Sequence, residues 1–371
     1  MQQAANHSGV HSVVREGQVA FFSPPRVAAT KMPQRAFVGN SYSGCDDASF
    51  PAPAARRPPA TAEQLTVVLL SHDPANNVTL SRIVCRYDAM AVVKQIRVVW
   101  NNPAIPPPPL RCADAAPHKL VVERAAQNTL LNRYAVHPRV PTEAVLLSDD
   151  DLSLCSHGVR AMLGHFSSHP RQIVGLSMRS HTSFGVRQAR RGRAGAWYFY
   201  HGMGGAAGAE FSSSTGQLNL VHRDYLRAFV DELPRHLHAF IASHKPTCED
   251  LMLNFLVANA THAPPVRFVP HRGCYRPEAA ASNMHSATHL RPTEWHHRRT
   301  SCLNTLVAAF GQRMPLRHSN CSFASTATLH LLPRRGSGLL GEPNASRAAF
   351  HKGRAERLAK LAGRMFRGGA G

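Results

Sequence analysis

The sequence predicts an α/β protein with a mostly parallel central sheet flanked by helices, and three observations carry that expectation. Leu65-Thr66-Val67-Val68-Leu69-Leu70 is a continuous apolar run of the kind found in strands covered on both faces. Similar runs at Ile96-Arg97-Val98-Val99-Trp100 and Ala144-Val145-Leu146-Leu147 alternate with helical patterning, the mark of βαβ units. The last of these runs ends, after Ser148, in Asp149-Asp150-Asp151. Open α/β sheets bind ligands at that carboxyl edge.

The elements follow in order. Residues 1–62 are rich in Ala, Pro, Ser and Arg without sustained periodicity and read as a disordered leader. After the first strand, Leu80, Ile83, Val84, Tyr87 and Met90 are spaced as one face of a helix. The second strand, through Trp100, stops at Asn101-Asn102-Pro103, and a Pro-rich loop leads to a third around Leu120-Val121-Val122. A helix is expected over Thr129 to Val136, then the fourth strand at Val145–Leu147. Beyond Asp151 the pattern gives a helix near Val159 to Phe166 and a strand at Ile173–Leu176. A long Gly/Arg/Tyr-rich loop from Gly185 to Gly208 follows, then helices around Tyr225 to Leu233 and Glu249 to Val257. Residues 63–325 thus form the expected folded domain. Residues 326–371 read as a basic, solvated tail in which Leu358, Leu361 and Phe366 mark one face of a short helix.

Charge narrows the partners. With 43 basic and 22 acidic residues the chain carries a formal +21, so anionic partners are expected. No zinc-finger spacing, RNA-binding aromatic signature or basic zipper appears, and nucleic acid is not the expected partner. Eight cysteines at wide spacing include no C-x-x-C pair, which argues against structural zinc and against a thioredoxin-type site. Five N-x-[ST] sequons, beginning at Asn6, Asn77, Asn259, Asn320 and Asn344, lean towards lumenal exposure. No apolar stretch approaches a membrane span, and Val19–Phe22 is too short for a signal core.

Three consecutive carboxylates behind a buried strand suit a hard cation such as Mg²⁺ or Mn²⁺, which keeps open positions for water and phosphate oxygens. Their alternative role is an acidic cap on the following helix. Thr247-Cys248-Glu249-Asp250 also has two readings, because it has the form of a capping box. Trp100 serves equally well as a core aromatic at a strand end or as a ligand contact.

The order of motifs is more specific than any one of them. Trp100-Asn101-Asn102 comes first, then Asn128-x-x-x-Asn132-Arg133. Leu147-Ser-Asp-Asp-Asp151 and Cys248-Glu249-Asp250-x-x-x-Asn254 follow, and Met314-Pro315-Leu316-Arg317-His318-Ser319-Asn320 closes the series. Over about residues 64 to 323 this resembles the exostosin-like glycosyltransferases, glycosyltransferase family 64. The resemblance implies a GT-A type nucleotide-sugar-binding fold and retaining, metal-dependent sugar transfer using Mn²⁺, with Mg²⁺ as the alternative. It assigns Asp151 and Asp149 to the metal. Asn101, Asn128, Arg133, Asp149 and Asp150 fall on donor-binding positions, and Asp250 and Arg299 on catalytic ones. It also pairs Cys248 with Cys302 and leaves the other six cysteines without an implied partner.

Departures bear on the substrate. The family's Thr-Tyr-Asn-Arg after the first strand is Ser71-His72-Asp73-Pro74 here, without the arginine expected near the donor. The stretch from Cys274 to Cys302 is shorter than in the family, and nothing matches the separate exostosin domain of the bifunctional polymerases. The expected activity is transfer of N-acetylglucosamine from UDP-N-acetylglucosamine, or a related UDP-sugar, to a glycan acceptor that can be anionic. Alternatives are GDP-mannose-type transfer to a glycolipid glycan and a catalytically weakened glycan-binding homologue. The resemblance places the protein in the endoplasmic reticulum or Golgi, in the lumen or at the membrane.

Overall fold

The computed structural model describes residues 28–29, 40–50, 55–56, 63–110, 112, 119–185, 196–202, 209–243, 248–277 and 292–325. The chain divides into a unit Met1–Thr326 and a second, Ala327–Gly371. The expected basic tail, 326–371, lies outside the described residues.

β1 (Ala28–Ala29) and β3 (Ala55–Arg56) make a short antiparallel ladder of their own. β2 (Asn40–Ser43) joins the main sheet instead. That sheet also holds β4 (Leu65–Ser71), β5 (Val93–Trp100), β6 (Leu120–Arg124), β7 (Ala144–Asp149) and β9 (Val174–Gly175). β13 (Leu218–His222), β14 (Val266–Phe268) and β16 (Ser322–Ser325) complete it. The order is β2-β16-β14-β9-β13-β7-β4-β5-β6. β4 runs parallel to β5 and β7, β5 to β6, and β14 to both β9 and β16. β13 is inserted antiparallel between β7 and β9, and β2 is antiparallel on β16. The mostly parallel α/β sheet expected from the sequence is the one observed.

The apolar runs are covered on both faces because their alternate residues feed two cores. Val68, Leu70, Val145 and Leu147 point into one core, with Leu226, Phe229, Leu251, Phe255 and Leu303. Leu65, Val67, Leu69 and Leu146 point into the other, against Leu80, Ile83, Val84 and Tyr87 of α1 (Asn77–Asp88). Val159, Met162 and Phe166 of α2 (Ser156–Ser168) line that same side. α3 (Arg223–Arg227), α4 (Arg235–Ser243), α5 (Glu249–Thr261) and α6 (Pro292–Ala309) are the other α-helices among the described residues. Trp100 is fully buried and donates from Nε1 to the Ile105 carbonyl at 2.7 Å, which settles it as a core aromatic.

Several expectations are corrected. The leader read over 1–62 contains β2, and Cys45 within the same segment is disulfide-bonded to Cys321. Thr129 to Val136 is not an α-helix. Its chain makes 3-10 turns at Leu130–Arg133 and His137–Arg139, with Asn132 Nδ2 tying the first turn to the Gln127 carbonyl at 2.7 Å. Gly185 and residues 196–202 of the supposed Gly185–Gly208 loop belong to a hairpin of β10 (Met178–Gly185) and β11 (Ala196–Gly202), and residues 203–208 lie outside the described ones. The Trp-Tyr-Phe-Tyr run of β11 is strand-forming in composition, and the intervening residues 186–195 lie outside the described ones. β12 (Ser213–Ser214) also pairs with β10, and β8 (Leu152–Leu154) pairs with β15 (Tyr275–Pro277) in a ribbon beside the sheet. The cysteines form four disulfides: Cys45–Cys321, Cys85–Cys112, Cys155–Cys274 and Cys248–Cys302. The six cysteines that the sequence left unassigned are therefore paired.

Candidate active site

β7 delivers Asp149 to the carboxyl edge of the sheet, and the chain turns through Asp150 and Asp151 into β8. The aspartates do not cap a helix. The next one, α2, begins at Ser156 and is capped by Cys155, whose sulfur accepts from Gly158 N at 3.3 Å. Each carboxylate has a different neighbourhood. Asp149 Oδ1 accepts from Arg133 Nη2 at 2.9 Å. Burial nevertheless pushes its pKa up to about 6, since Asp151 and Asp150 partly offset the pull of Arg133. Asp150 accepts from Ser71 Oγ at the end of β4, and burial raises its pKa. Asp151 is raised by burial and then by Asp150, and its Oδ1 is buried with no hydrogen-bond partner.

That orphaned oxygen tests the fit to a metal. A buried carboxylate oxygen without a donor is costly. A hard divalent cation satisfies it and removes the repulsion among three adjacent carboxylates. The donor set fits Mn²⁺ or Mg²⁺.

Antiparallel β13 builds the other half of the site. Asp149 N–H donates to the Gln217 carbonyl at 3.0 Å, which fixes the turn before β13 against the aspartates. Gly216 in that turn accepts from Arg133 Nη1 at 2.9 Å, and its own N–H donates to Asp250 Oδ2 at 3.1 Å. One peptide residue thus joins the aspartate cluster to a second carboxylate.

Asp250 lies in the first turn of α5 and is buried. Cys248 is the N-cap and makes no side-chain cap bond, while Thr247, the cap in the capping-box reading, lies outside the described residues. Asp250 instead accepts at Oδ1 from Arg299 Nη2 at 2.7 Å and from Leu251 N at 2.6 Å. Asn254, one turn later, donates to the Asp250 carbonyl and clamps both backbone groups of Ser214. Arg299 comes from α6, and the Cys248–Cys302 disulfide joins α6 to the start of α5. Its guanidinium carbon lies 4.5 Å from the Tyr200 ring centroid and 4.8 Å from that of Trp295. Burial works against its charge, but Asp250 together with Tyr200 and Glu249 more than offsets this and holds it firmly protonated. Burial, followed by the nearby Asp250 charge, raises the pKa of Glu249.

Asn101 is placed differently. It is buried, and its amide is fully used: Nδ2 donates to Asn128 Oδ1 and the Thr129 carbonyl, while Oδ1 accepts from Asn132 Nδ2 and Thr129 N. It fixes the loop that presents exposed Asn128 rather than offering free groups of its own. In the departing segment, Asp73 caps a 3-10 turn through Ala75 N at 2.9 Å. Gly216, Ser71 and Tyr200 were not legible as site residues. The first acts through its backbone, and the other two became neighbours only on folding. Asn254 and Glu249 stood inside a recognised motif without an assigned role.

A sheet edge carrying aspartates and joined through Arg133 and the Gly216 backbone to a second carboxylate now has a class, because residues 65–328 match the glycosyl transferase family 64 domain: these residues form a glycosyltransferase domain. Within that class, the chain belongs to family 64. Relatives include an exostosin-like-3 homolog of Caenorhabditis elegans, 27% identical over 69% of this chain and 28% of its own length. Exostosin-1c of Danio rerio is 32% identical over 61% of this chain and 28% of its own length. Exostosin-like 2 of Mus musculus is 28% identical over 65% and 71%. The chain therefore spans just over a quarter of the length of the first two. Similar solved structures include S. aureus TarS, with TM-score 0.36 and 12% identity, covering 66% of this chain and 43% of that one. Another is GalNAc-T7 with UDP, GalNAc and Mn2+, with TM-score 0.32 and 8% identity, covering 52% and 40%.

Proposed function

We propose that residues 63–325 act as a retaining, metal-dependent transferase that moves N-acetylglucosamine from UDP-N-acetylglucosamine to a glycan acceptor. The connected series Asp149, Arg133, Gly216, Asp250 and Arg299 carries the reading, since it ties a diphosphate-binding edge to a buried charge that can act at the reacting carbon. Asp151 and Asp149 would hold Mn²⁺ or Mg²⁺, which neutralises charge growing on a diphosphate leaving group. Asp150 braces the cluster through Ser71. Arg133 orients Asp149 and adds positive charge beside the phosphates. Asn128 and the loop fixed by Asn101 face the nucleotide. Asp250, held by Arg299 and the Gly216 N–H, stabilises positive charge developing on the sugar or positions the acceptor hydroxyl.

The formal +21 supports an anionic, uronate-containing acceptor. All eight cysteines are in disulfides, which supports residence in the oxidising lumen of the endoplasmic reticulum or Golgi. Among the described residues no helix is long and apolar enough to cross a membrane. The first-loop segment His72-Asp73-Pro74 brings no arginine, which favours keeping GDP-mannose as a second donor reading.

Hydrolysis of a panel of UDP- and GDP-sugars with and without Mn²⁺ tests the proposal. Metal-dependent release of UDP from UDP-N-acetylglucosamine is expected. Turnover of GDP-mannose alone would move the donor to the second reading. Metal-independent hydrolysis would overturn the role given to the aspartates.

A further inference from the structure

Three of the sequon asparagines, Asn77, Asn259 and Asn320, stand among the described residues, and their surroundings differ. A bulky, solvated glycan is tolerated only where the folded chain leaves its asparagine in water. Asn77 opens α1 half-buried, and its Oδ1 is buried without a hydrogen-bond partner. Asn259 is half-buried within α5, and Thr261 of its sequon is buried, donating from Oγ1 to the Val257 carbonyl at 2.7 Å. Asn320 is exposed.

Asn320 stands just before β16, beside the point where the chain leaves β2. Gly44 makes room for it there. Its φ of +67° lies in the left-handed region, and an added Cβ would come within 2.8 Å of Asn320 Cγ and Oδ1. Among the described residues no group hydrogen-bonds to the Asn320 side-chain amide, so Nδ2 is available. The position is also clear of the candidate active site. In the sheet order β16 is four strands from β7, roughly 20 Å at the usual spacing between strands.

We propose that Asn320 carries an N-linked glycan, attached before β2 docks onto β16; this rests on the lumenal residence proposed above. Nδ2 attacks C1 of the first sugar of a lipid-linked diphosphate oligosaccharide. A C–N bond forms, the C–O bond to the lipid diphosphate breaks, and the amide gives up one proton. The order of events follows from the neighbours of Asn320. Attachment needs an accessible sequon with the Ser322 hydroxyl free. After docking, Ser322 pairs with Ser43 and turns its Oγ towards the Ser43 carbonyl at 3.5 Å. Cys321, between the two sequon residues, is then bonded to Cys45 and donates its N–H to Ser319 Oγ at 2.9 Å. Closure of the disulfide thus ends access to the sequon, whereas a glycan already in place projects from an exposed position and does not oppose closure.

Peptide mass mapping after N-glycosidase treatment in heavy-oxygen water tests this, because each modified asparagine becomes a labelled aspartate. The full chain, sent into the lumen of a eukaryotic cell behind a cleavable signal peptide, is expected to carry the label at position 320. Ser322→Ala, which keeps Asn320, is expected to lose it. An unlabelled Asn320 in lumenal protein overturns the proposal, and so does label that persists in Ser322→Ala. Protein taken from its natural source is expected to be labelled at the same position. Label in the signal-bearing chain alone overturns the lumenal residence and, with it, the natural occupancy of Asn320. Cys45→Ser, in which this disulfide cannot close, tests the order without requiring a folded product. Occupancy of Asn320 in that variant is expected to equal or exceed that of the parent, and a fall overturns attachment before docking.

Discussion

Arg299 reaches Asp250 across 49 residues of sequence, donating from Nη2 to Oδ1 at 2.7 Å, and both side chains are buried. Among the described residues neither charge has another ionic partner as close, so each depends on the other for its place in the interior. A buried ion pair of this kind adds little net stability, yet removing one partner is costly because the other is left uncompensated.

Asp250→Asn is therefore expected to do two things. Turnover falls by roughly two or more orders of magnitude, while donor affinity holds, because the charge acts only as the sugar becomes cationic. Stability also falls, by about 3 kcal/mol, because Arg299 is stranded. The double variant Asp250→Asn/Arg299→Met should recover much of the stability and none of the activity. Thermal melts beside single-turnover transfer rates check both. A near-normal transfer rate in Asp250→Asn would remove Asp250 from the chemistry.

Asp151→Asn separates metal binding from folding. The orphaned Oδ1 beside the Asp150 charge is a cost borne without metal, so the metal-free variant should melt at or above the parent temperature. Mn²⁺-dependent nucleotide-sugar binding should disappear. Calorimetry with and without Mn²⁺ reads this directly, and unchanged metal-dependent affinity would reject Asp151 as a ligand.

At Gly216 an added Cβ would stand 3.2 Å from Arg133 Nη1 and 3.5 Å from Asp250 Cβ. Gly216→Ala should shift Arg133 by tenths of an ångström and, through it, disturb the bonds that tie Asp149 and Asp250 to this turn. The expected loss is about tenfold or more in kcat, with stability changed by about 1 kcal/mol or less. A variant that loses stability and keeps kcat would show that the turn is only structural.

Two buried histidines set an acid limit on stability. His165 accepts from the Tyr42 hydroxyl at Nδ1, faces Gln172 Oε1 through Nε2, and stacks on His169 and Phe323. Burial pushes its pKa down to about 3, and does the same to His181. The unfolded chain takes up these protons near the ordinary value of about 6.5 and the folded chain does not. Their stabilising effect is thus complete above about pH 6.5 and is lost as pH falls towards 3. Each adds a slope of up to about 1.4 kcal/mol per pH unit. Urea midpoints between pH 7.5 and 4.5 should fall accordingly, and His165→Gln should flatten the slope. An equal slope in that variant would exclude His165 as a source.

How much of this was legible varied with the kind of signal. Val67 and Val68 announce a strand covered on both faces, because both neighbours of a buried strand must be apolar. Asp149 to Asp151 stand out as carboxylates ending an apolar strand, whereas Arg133, Asp250 and Arg299 were named through the resemblance to family 64. β13 was missed. Leu218–His222 has too short a run to stand out, and its antiparallel insertion is decided by which neighbours have an open edge. Gly216 was invisible for a related reason, as its contribution is a carbonyl and an N–H that every residue carries. The pairing of Cys45 with Cys321 joins points 276 residues apart, and no local pattern foretells it.

That distant pairing sets a timetable for synthesis. β2 lies only against β16 in the sheet, so its partner is made some 280 residues after it. At about 5–20 residues per second, the wait is on the order of tens of seconds. Cys85 and Cys112 can close first, since only 27 residues separate them. Until Cys321 emerges, Cys45 has no native partner, and each cysteine made before it is a competing one. A lumenal disulfide isomerase would act most on this bond, and slowed translation late in the domain should raise the yield of Cys45 mispairing above that of any other cysteine.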